Sequence, residues 1–310
     1  MRSVAVTRSI GWLTHRPSLG LSLALPLALS LVAPLIASSC STATGTAVDA
    51  ATRPAATIEL PPLVEQPTTM PPPSTAAPVV ASTTVPPPQV VTVPVAAPVE
   101  LIQPIGRQSG AGAAAVQQRL LDLGFWLQAV NGDFGVTTRQ ALQAFQKYNG
   151  LEPTESVDVA TADALNNATV RAHGLSTSGT LVEVDKNRQL MFLVQDGVAV
   201  WTFNISTGSG VPYVSRDKNE WGKWVRGDSQ TPDGIFQIDR EYTKGWREGD
   251  LGEIYRPKYF NGGIALHGAY KIPPYPASHG CVRLATPAMD FLWSSGLVPR
   301  GTTVWVHSQA

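Results

Sequence analysis

Two absences and one imbalance bound this 310-residue chain before any motif is sought. Cysteine is scarce: only Cys40 and Cys281 are present. Net charge is zero, with 23 basic and 23 acidic side chains, so no basic field points to a nucleic-acid partner. Aromatic residues are missing altogether between Leu13 and Gly124, while 14 of the 26 prolines fall between Pro54 and Pro104. A stretch without large side chains has nothing to build a core around, and its prolines deny it sheet hydrogen bonds. Residues 41–106, rich in Pro, Thr, Ala and Val, therefore read as a disordered linker, partly in polyproline II conformation. At about 3 Å per residue it reaches well over 100 Å.

Upstream of this tether, Arg2, Arg8 and Arg16 precede the uncharged apolar run LSLALPLALSLVAPLIA, which ends in small residues. That is the pattern of an export signal, placed at residues 1–40. Pro26 and Pro34 interrupt the run, which is short for a membrane span. Cys40 stands where bacterial lipoproteins carry their lipid-modified cysteine; the resemblance departs at Ala37, where those signals usually have Leu. Two outcomes stay open: a lipid anchor at Cys40, or ordinary cleavage near Ser39 or Ala43. Membrane contact is through the N-terminal anchor if that is retained, the mature chain is mildly acidic, and if Cys40 is removed or acylated Cys281 is the only thiol left. A lone exported cysteine is either buried and inert or kept for its reactivity.

Helical periodicity begins near Ala111. Val116, Leu120 and Leu123 share one face and Gly124 stops the helix. The turn NGDFG leads to a second helix carrying Leu142, Phe145 and Tyr148, ended by Gly150, and Asp158 to Leu165 forms a short third. The acidic residues of the turn do not recur at EF-hand spacing, so it does not read as a calcium loop. After a polar hinge at 166–179, the period changes to two: TLVEVDKNRQLMFLVQDGVAVWTFNIST reads as strands joined by DKN and QDG turns. TPDGIFQI and TTVWV add further strands, and Thr286–Pro287 opens one late helix. The chain thus reads as multidomain: a small all-α domain at 107–168, then a mainly-β domain at 178–308.

Chemistry concentrates at ASHGCVR, residues 277–283. A thiol becomes a strong nucleophile when a neighbouring imidazole takes its proton. His279 lies two residues from Cys281, and His267, in IALHG, 14 residues upstream. Gly280 leaves the backbone open, so the amides of residues 280 and 281 are candidate donors to an oxyanion. A zinc site from His267, His279 and Cys281 is chemically sensible but lacks a paired CxxC or HExxH, and a buried, inert cysteine explains neither the glycines nor the clustering. Ser278 is a weaker nucleophile than the thiol and reads as an orienting residue. Trp246, Tyr255, Tyr259 and Phe260 are available to line a groove, or to fill a core; Arg256 and Lys258 are available to a substrate carboxylate, or to solvent.

Two resemblances follow from these residues. The order LxxLGF, NGDFG, TxxALxxFQxxxGL and VDxxTxxxL is similar to the small peptidoglycan-binding domain of bacterial wall enzymes. IALHGAYKIPPYPASHGCVRL, with TPDGIFQI and RPKYFNGGIALHG, resembles the L,D-transpeptidase signature, an HG followed after a spacer by [ST]HGC. The second resemblance implies a β-sandwich-like catalytic domain in which Cys281 is acylated, His267 is its base, and His279 with Gly280 shapes the site and oxyanion hole. Ser278 and Arg283 would support them, with no metal or other cofactor. It implies a cell-envelope enzyme that releases D-alanine from a tetrapeptide stem, forms 3→3 cross-links through a cysteinyl thioester, and is open to carbapenem β-lactams. An L,D-carboxypeptidase, or an inactive wall-binding protein, is the alternative. The ten-residue spacer between His267 and Ser278 is short, predicting a small lid, and Arg283 replaces the more usual Asn.

Overall fold

The computed structural model describes residues 89–218, 220–249 and 251–309. The export signal, Cys40 and the linker as far as residue 88 lie outside the described residues.

Three helices come first: α1 (Ala111–Asp122), α2 (Val136–Tyr148) and α3 (Val159–Asn167). The glycines that end the first two do so by the same device. Gly124 (φ +87°) and Gly150 (φ +67°) are left-handed. Each donates back to the last turn, and the next residue reaches one carbonyl further: Phe125 N–H to Leu120 at 2.8 Å and Leu151 N–H to Gln146 at 2.8 Å. These are Schellman caps, whose backbone conformation favours glycine. α3 is capped by Asp158, whose carboxylate accepts from Thr161 N–H at 2.8 Å.

Twelve strands and one helix follow: β1 (Leu181–Asp185), β2 (Leu190–Gln195), β3 (Val198–Asn204), β4 (Tyr213–Arg216), β5 (Trp224–Gly227), β6 (Gly234–Gln237), β7 (Arg240–Glu241), β8 (Trp246–Gly249), β9 (Gly252–Asn261), β10 (Ile264–Ala269), β11 (Val282–Ala285), α4 (Thr286–Ser294) and β12 (Thr303–His307). One sheet runs β3-β2-β1-β12-β6, a second runs β11-β10-β9-β7 with β8 also on β9, and β4 and β5 form a separate hairpin. α4 starts at Thr286 itself; Ala285 is its N-cap and gives no side-chain cap, so Thr286 is not the capping residue that the sequence suggests.

The first sheet is covered on both faces. Leu190, Phe192 and Val194 of β2 join the helical side chains in one core. Met191 and Leu193 join Val182, Val184, Phe260, Leu266, Val282, Leu284 and α4 in another, between the sheets. A strand buried on both faces reads as a continuous apolar run, as LMFLV does. Fully burying such side chains contributes about 1.5–3 kcal/mol each. The helices are therefore fused to the sheet. Past its cap, α1 continues into a backbone pair with the edge strand β3: Thr202 N–H donates to Gly124 at 2.7 Å and Trp126 N–H to Thr202 at 3.0 Å. Trp126 itself enters the inter-sheet core and stacks on Phe203.

Two segments differ from their compositional reading. The end of the proline-rich stretch, read as disordered, is folded onto the helices. Val95 N–H donates to Thr169 O, Gly106 and Val157 exchange both backbone bonds, and Ile102 is buried while pairing with the Asn166 amide. The partners lie 50 to 75 residues away, roughly, and local composition carries no trace of such distant pairing. The hinge at 166–179 is likewise tied down: Arg171 donates to Asp122 and Val200 carbonyls, and the buried Glu183 carboxylate accepts from Leu175 N–H, Ser176 N–H and the Ser176 hydroxyl. No helix among the described residues is long and apolar enough to cross a membrane.

Candidate active site

β10 and β11 are parallel neighbours in the second sheet, with Leu266 opposite Val282 and His267 opposite Arg283. Parallel neighbours in register point their side chains to the same face. Cys281 precedes β11 by one residue, so this pairing brings a histidine and a cysteine 14 positions apart onto one wall. His267, Ser278, His279, Cys281 and Arg283 all line one cavity of about 870 Å³. Its other walls come from Tyr213 and the 227–230 turn after β5, from Arg240, Trp246 and Arg247, and from Tyr259 and Tyr270.

His267 is buried, and its Nδ1 lies 2.8 Å from the Gly268 carbonyl. A carbonyl only accepts, so Nδ1 carries the proton and Nε2 is left with the lone pair. Burial, with a smaller effect from the Arg283 charge, pushes this imidazole down to about 4. Burial pushes the Cys281 thiol up, against weaker opposing effects from the Ala265 backbone and Arg283; its Sγ lies 3.7 Å from Gly263 O. The resting pair is therefore neutral thiol and neutral imidazole. Gly268 is required at its place: a Cβ there would come within 2.9 Å of the Tyr255 ring and 3.2 Å of the Thr286 backbone.

Residues 277–281 are a loop, held by the segment after β3. The Thr207 carbonyl accepts from Ala277 N–H and Ser278 N–H, both at 2.9 Å. Ser206 and Arg283 exchange backbone bonds at 3.2 and 3.0 Å, and the Ser206 hydroxyl donates to Tyr275 O at 2.7 Å. Ser278 is buried and spans the loop internally: its hydroxyl donates to Cys281 O at 2.5 Å and accepts from Gly280 N–H at 3.0 Å. That bond occupies one of the two amides expected to serve an oxyanion, because a short loop satisfies its own donors first. Gly280 is left-handed (φ +128°), and a Cβ on it would lie 2.8 Å from Gln230 O. Its carbonyl accepts from the Thr231 hydroxyl at 2.7 Å. In the same turn Ser229 is left-handed (φ +51°), and its buried hydroxyl has no protein partner. The sequence signal for this turn, the TPDG motif, marks a bend without revealing its contact with Gly280.

His279 is exposed, and it meets Tyr213 edge-on with ring centroids 5.1 Å apart. Among the described residues no group of three His, Cys, Asp or Glu side chains could hold a metal ion. The aromatics divide. Tyr259 lines the cavity, while Phe260 is buried against Phe236 in the inter-sheet core. Tyr255 donates its hydroxyl to Asp290 on α4. Neither Tyr255 nor Phe260 is in the cavity wall. Strand alternation turns Phe260 to the core face, next to Tyr259 on the cavity face, while a register shift in the β9–β10 pairing between Lys258 and Tyr255 takes Tyr255 out of line with Tyr259. Arg256 and Lys258 are likewise engaged, with Asp290 and Glu241, each at 2.6 Å.

Comparison with known proteins places both folded regions in known families. The family profile of the L,D-transpeptidase catalytic domain, YkuD, matches residues 179–306, and that of a peptidoglycan binding domain matches residues 109–165. A crystal structure of an L,D-transpeptidase fragment from Xylanimonas cellulosilytica is 40% identical, with a TM-score of 0.59, covering 66% of this chain and 98% of that one. An L,D-transpeptidase from Stackebrandtia nassauensis is 20% identical over 64% of this chain and 92% of its own; at a TM-score of 0.36 it carries no weight for function. No curated protein matches. With a cysteine–histidine wall in a large cavity, a helical domain ahead of it and a 40%-identical relative matched over nearly its whole length, the chain belongs to the L,D-transpeptidase family.

Proposed function

We propose that the protein is a peptidoglycan L,D-transpeptidase that forms 3→3 cross-links, with Cys281 as nucleophile and His267 as general base and acid. The observation that carries this reading is the β10–β11 register, which sets His267 and Cys281 on one cavity wall. Because both groups rest neutral, sulfur attacks as its proton passes to His267 Nε2. The electrophile is the carbonyl of the third residue, a diamino acid, in a tetrapeptide stem. The oxyanion of the tetrahedral adduct takes a hydrogen bond from the Cys281 N–H, since Gly280 N–H is held by Ser278. The imidazolium then returns the proton to the departing D-alanine amine, leaving a thioester. The side-chain amine of a second stem attacks that carbonyl and gives a proton to His267, which passes it to the leaving thiolate. The bond formed is the cross-link, the bond broken is C–S, and the thiol is regenerated.

His279 and Tyr213 border the entry to this site, and the Arg283 charge adds a small push to the burial that keeps the imidazole neutral. Tyr259 offers an aromatic wall to the stem. The same thiol is the acylation point for carbapenem-type β-lactams. The helical domain (107–168) holds the enzyme (178–308) at the wall, and the N-terminal segment delivers it there, with Cys40 as the lipid anchor if that cysteine is retained.

The test incubates the full chain with purified disaccharide-tetrapeptide, follows products by mass spectrometry, and repeats this with Cys281→Ala. Dimers lacking one D-alanine, reduced about 10³-fold or more in the variant, are expected. Tripeptide with free D-alanine and no dimer would make the protein an L,D-carboxypeptidase. No Cys281-dependent product would remove the enzymatic reading.

A further inference from the structure

Near the end of α2, Lys147 is half-buried against the first sheet. Its ammonium donates to Asn204 Oδ1 at 2.6 Å, Ile205 O at 3.2 Å and Gln189 O at 3.3 Å. All three acceptors are neutral, and burial pushes Lys147 down to about 7. A cation buried without a carboxylate is costly, and a well-packed apolar residue would serve stability as well or better.

The acceptors lead toward the thiol. Gln189, buried and left-handed (φ +55°), donates its amide to Thr207 Oγ1 and accepts from Thr207 N–H, both at 2.8 Å. The Thr207 carbonyl is the acceptor that holds Ala277 N–H and Ser278 N–H. Ser278 in turn braces Gly280 and Cys281. Asn204 has no freedom to swing away, because its own amide donates to Gln140 and Gln143 of α2 at 2.8 and 2.7 Å. Every link from helix to thiol loop is thus a hydrogen bond between buried or half-buried groups, where such bonds are strong and directional.

We infer that Lys147 is a positioning residue for Cys281: through Gln189 and Thr207, the helical domain sets the geometry of the thiol loop, a role separate from holding the wall. Its kinetic consequence rests on the reading of Cys281 as nucleophile; its structural consequence does not. The residue touches no reacting atom, so it acts on how often the loop is competent rather than on substrate binding.

The test compares the full chain with Lys147→Met and Lys147→Gln, the second keeping two N–H donors. Hydrogen exchange in the 275–284 segment reads the loop directly, and exchange in β9 serves as control. In Lys147→Met, exchange of the Ala277, Ser278 and Gly280 amides should rise about tenfold with β9 unchanged, while kcat on disaccharide-tetrapeptide falls about tenfold and KM stays within about twofold. Lys147→Gln should recover most of both. Should Lys147→Met not fold, Thr207→Val, which removes only the hydroxyl bonded to Gln189, should raise exchange in the same segment. Unchanged exchange overturns the inference, and so does raised exchange with unchanged kcat. If the unaltered chain consumes no stem peptide at all while exchange responds as expected, the transpeptidase reading fails and the positioning contact stands.

Discussion

The two sides of the first sheet treat their buried polar groups in opposite ways. On the helical side most are completed, the exceptions being Thr202, whose buried hydroxyl has no partner, and Lys147. Gln146 is fully buried, and its amide donates to Thr154 Oγ1, Ser156 O and Thr161 Oγ1 while its oxygen accepts from Glu155 N–H. Gln117 does the same for the NGDFG turn, bonding Asn131, Gly132, Asp133 and Thr138. On the catalytic side the groups are left displaced from their ordinary state. The imidazole of His267 is pushed down and the thiol of Cys281 up; Ser229 holds a left-handed backbone and an unpartnered hydroxyl. Satisfied polar groups fix a shape, whereas perturbed ones in a cavity mark where chemistry is done.

Breaking the catalytic side should cost activity far more than stability. His267→Gln is expected to lower kcat/KM about 10²- to 10⁴-fold, measured as D-alanine release. In the unaltered chain, kcat/KM should rise as pH climbs through about 4, where His267 becomes neutral, and then stay level into the thiol's raised range. The same depressed value makes folding pH-dependent. The unfolded chain takes up this proton first, near its ordinary 6.5, so stability should fall as pH drops from about 6.5 to 4, and this component should vanish in His267→Gln. Gly280→Ala, which forces a Cβ toward Gln230 O in a left-handed backbone, should reduce kcat about 10- to 100-fold, with a smaller change in melting temperature. Breaking the helical side should do the reverse. Gln146→Leu should destabilise by about 1–3 kcal/mol in urea unfolding, with turnover at 25 °C changed less than about twofold.

Much of the cavity wall around Cys281 was legible because its signals are local or chemically rare. One of only two cysteines, the HG pairs at His267 and His279, and a glycine before the cysteine need no distant information. Gly124 and Gly150 likewise announced two helix ends, since a left-handed cap selects glycine. What stayed hidden depends on partners far along the chain. Ile102 reads as linker until Asn166 is brought beside it. Phe260 and Tyr259 are consecutive, and only the sheet decides which faces the cavity. Lys147 has the spacing of an ordinary solvated helix residue; its burial is created by β3, which starts 51 positions later, roughly, and has a different period. The run LMFLV did carry a clue to the fused architecture, since an apolar run unbroken by polar residues asks for cover on both faces.

The position of β12 bears on the order in which the molecule can assemble. It lies inside the first sheet, parallel to β1 and antiparallel to β6, with Val184 facing Val306 and Phe236 facing Val304. A nascent chain that has not yet released Thr303–His307 from the ribosome exposes two raw sheet edges where the finished protein has none. Within the first sheet β1 and β6 are joined only through β12, so the core that supports the thiol loop closes only once Thr303–His307 is available. Such late closure leaves the loop that carries Cys281 without its full support until both sheets are complete.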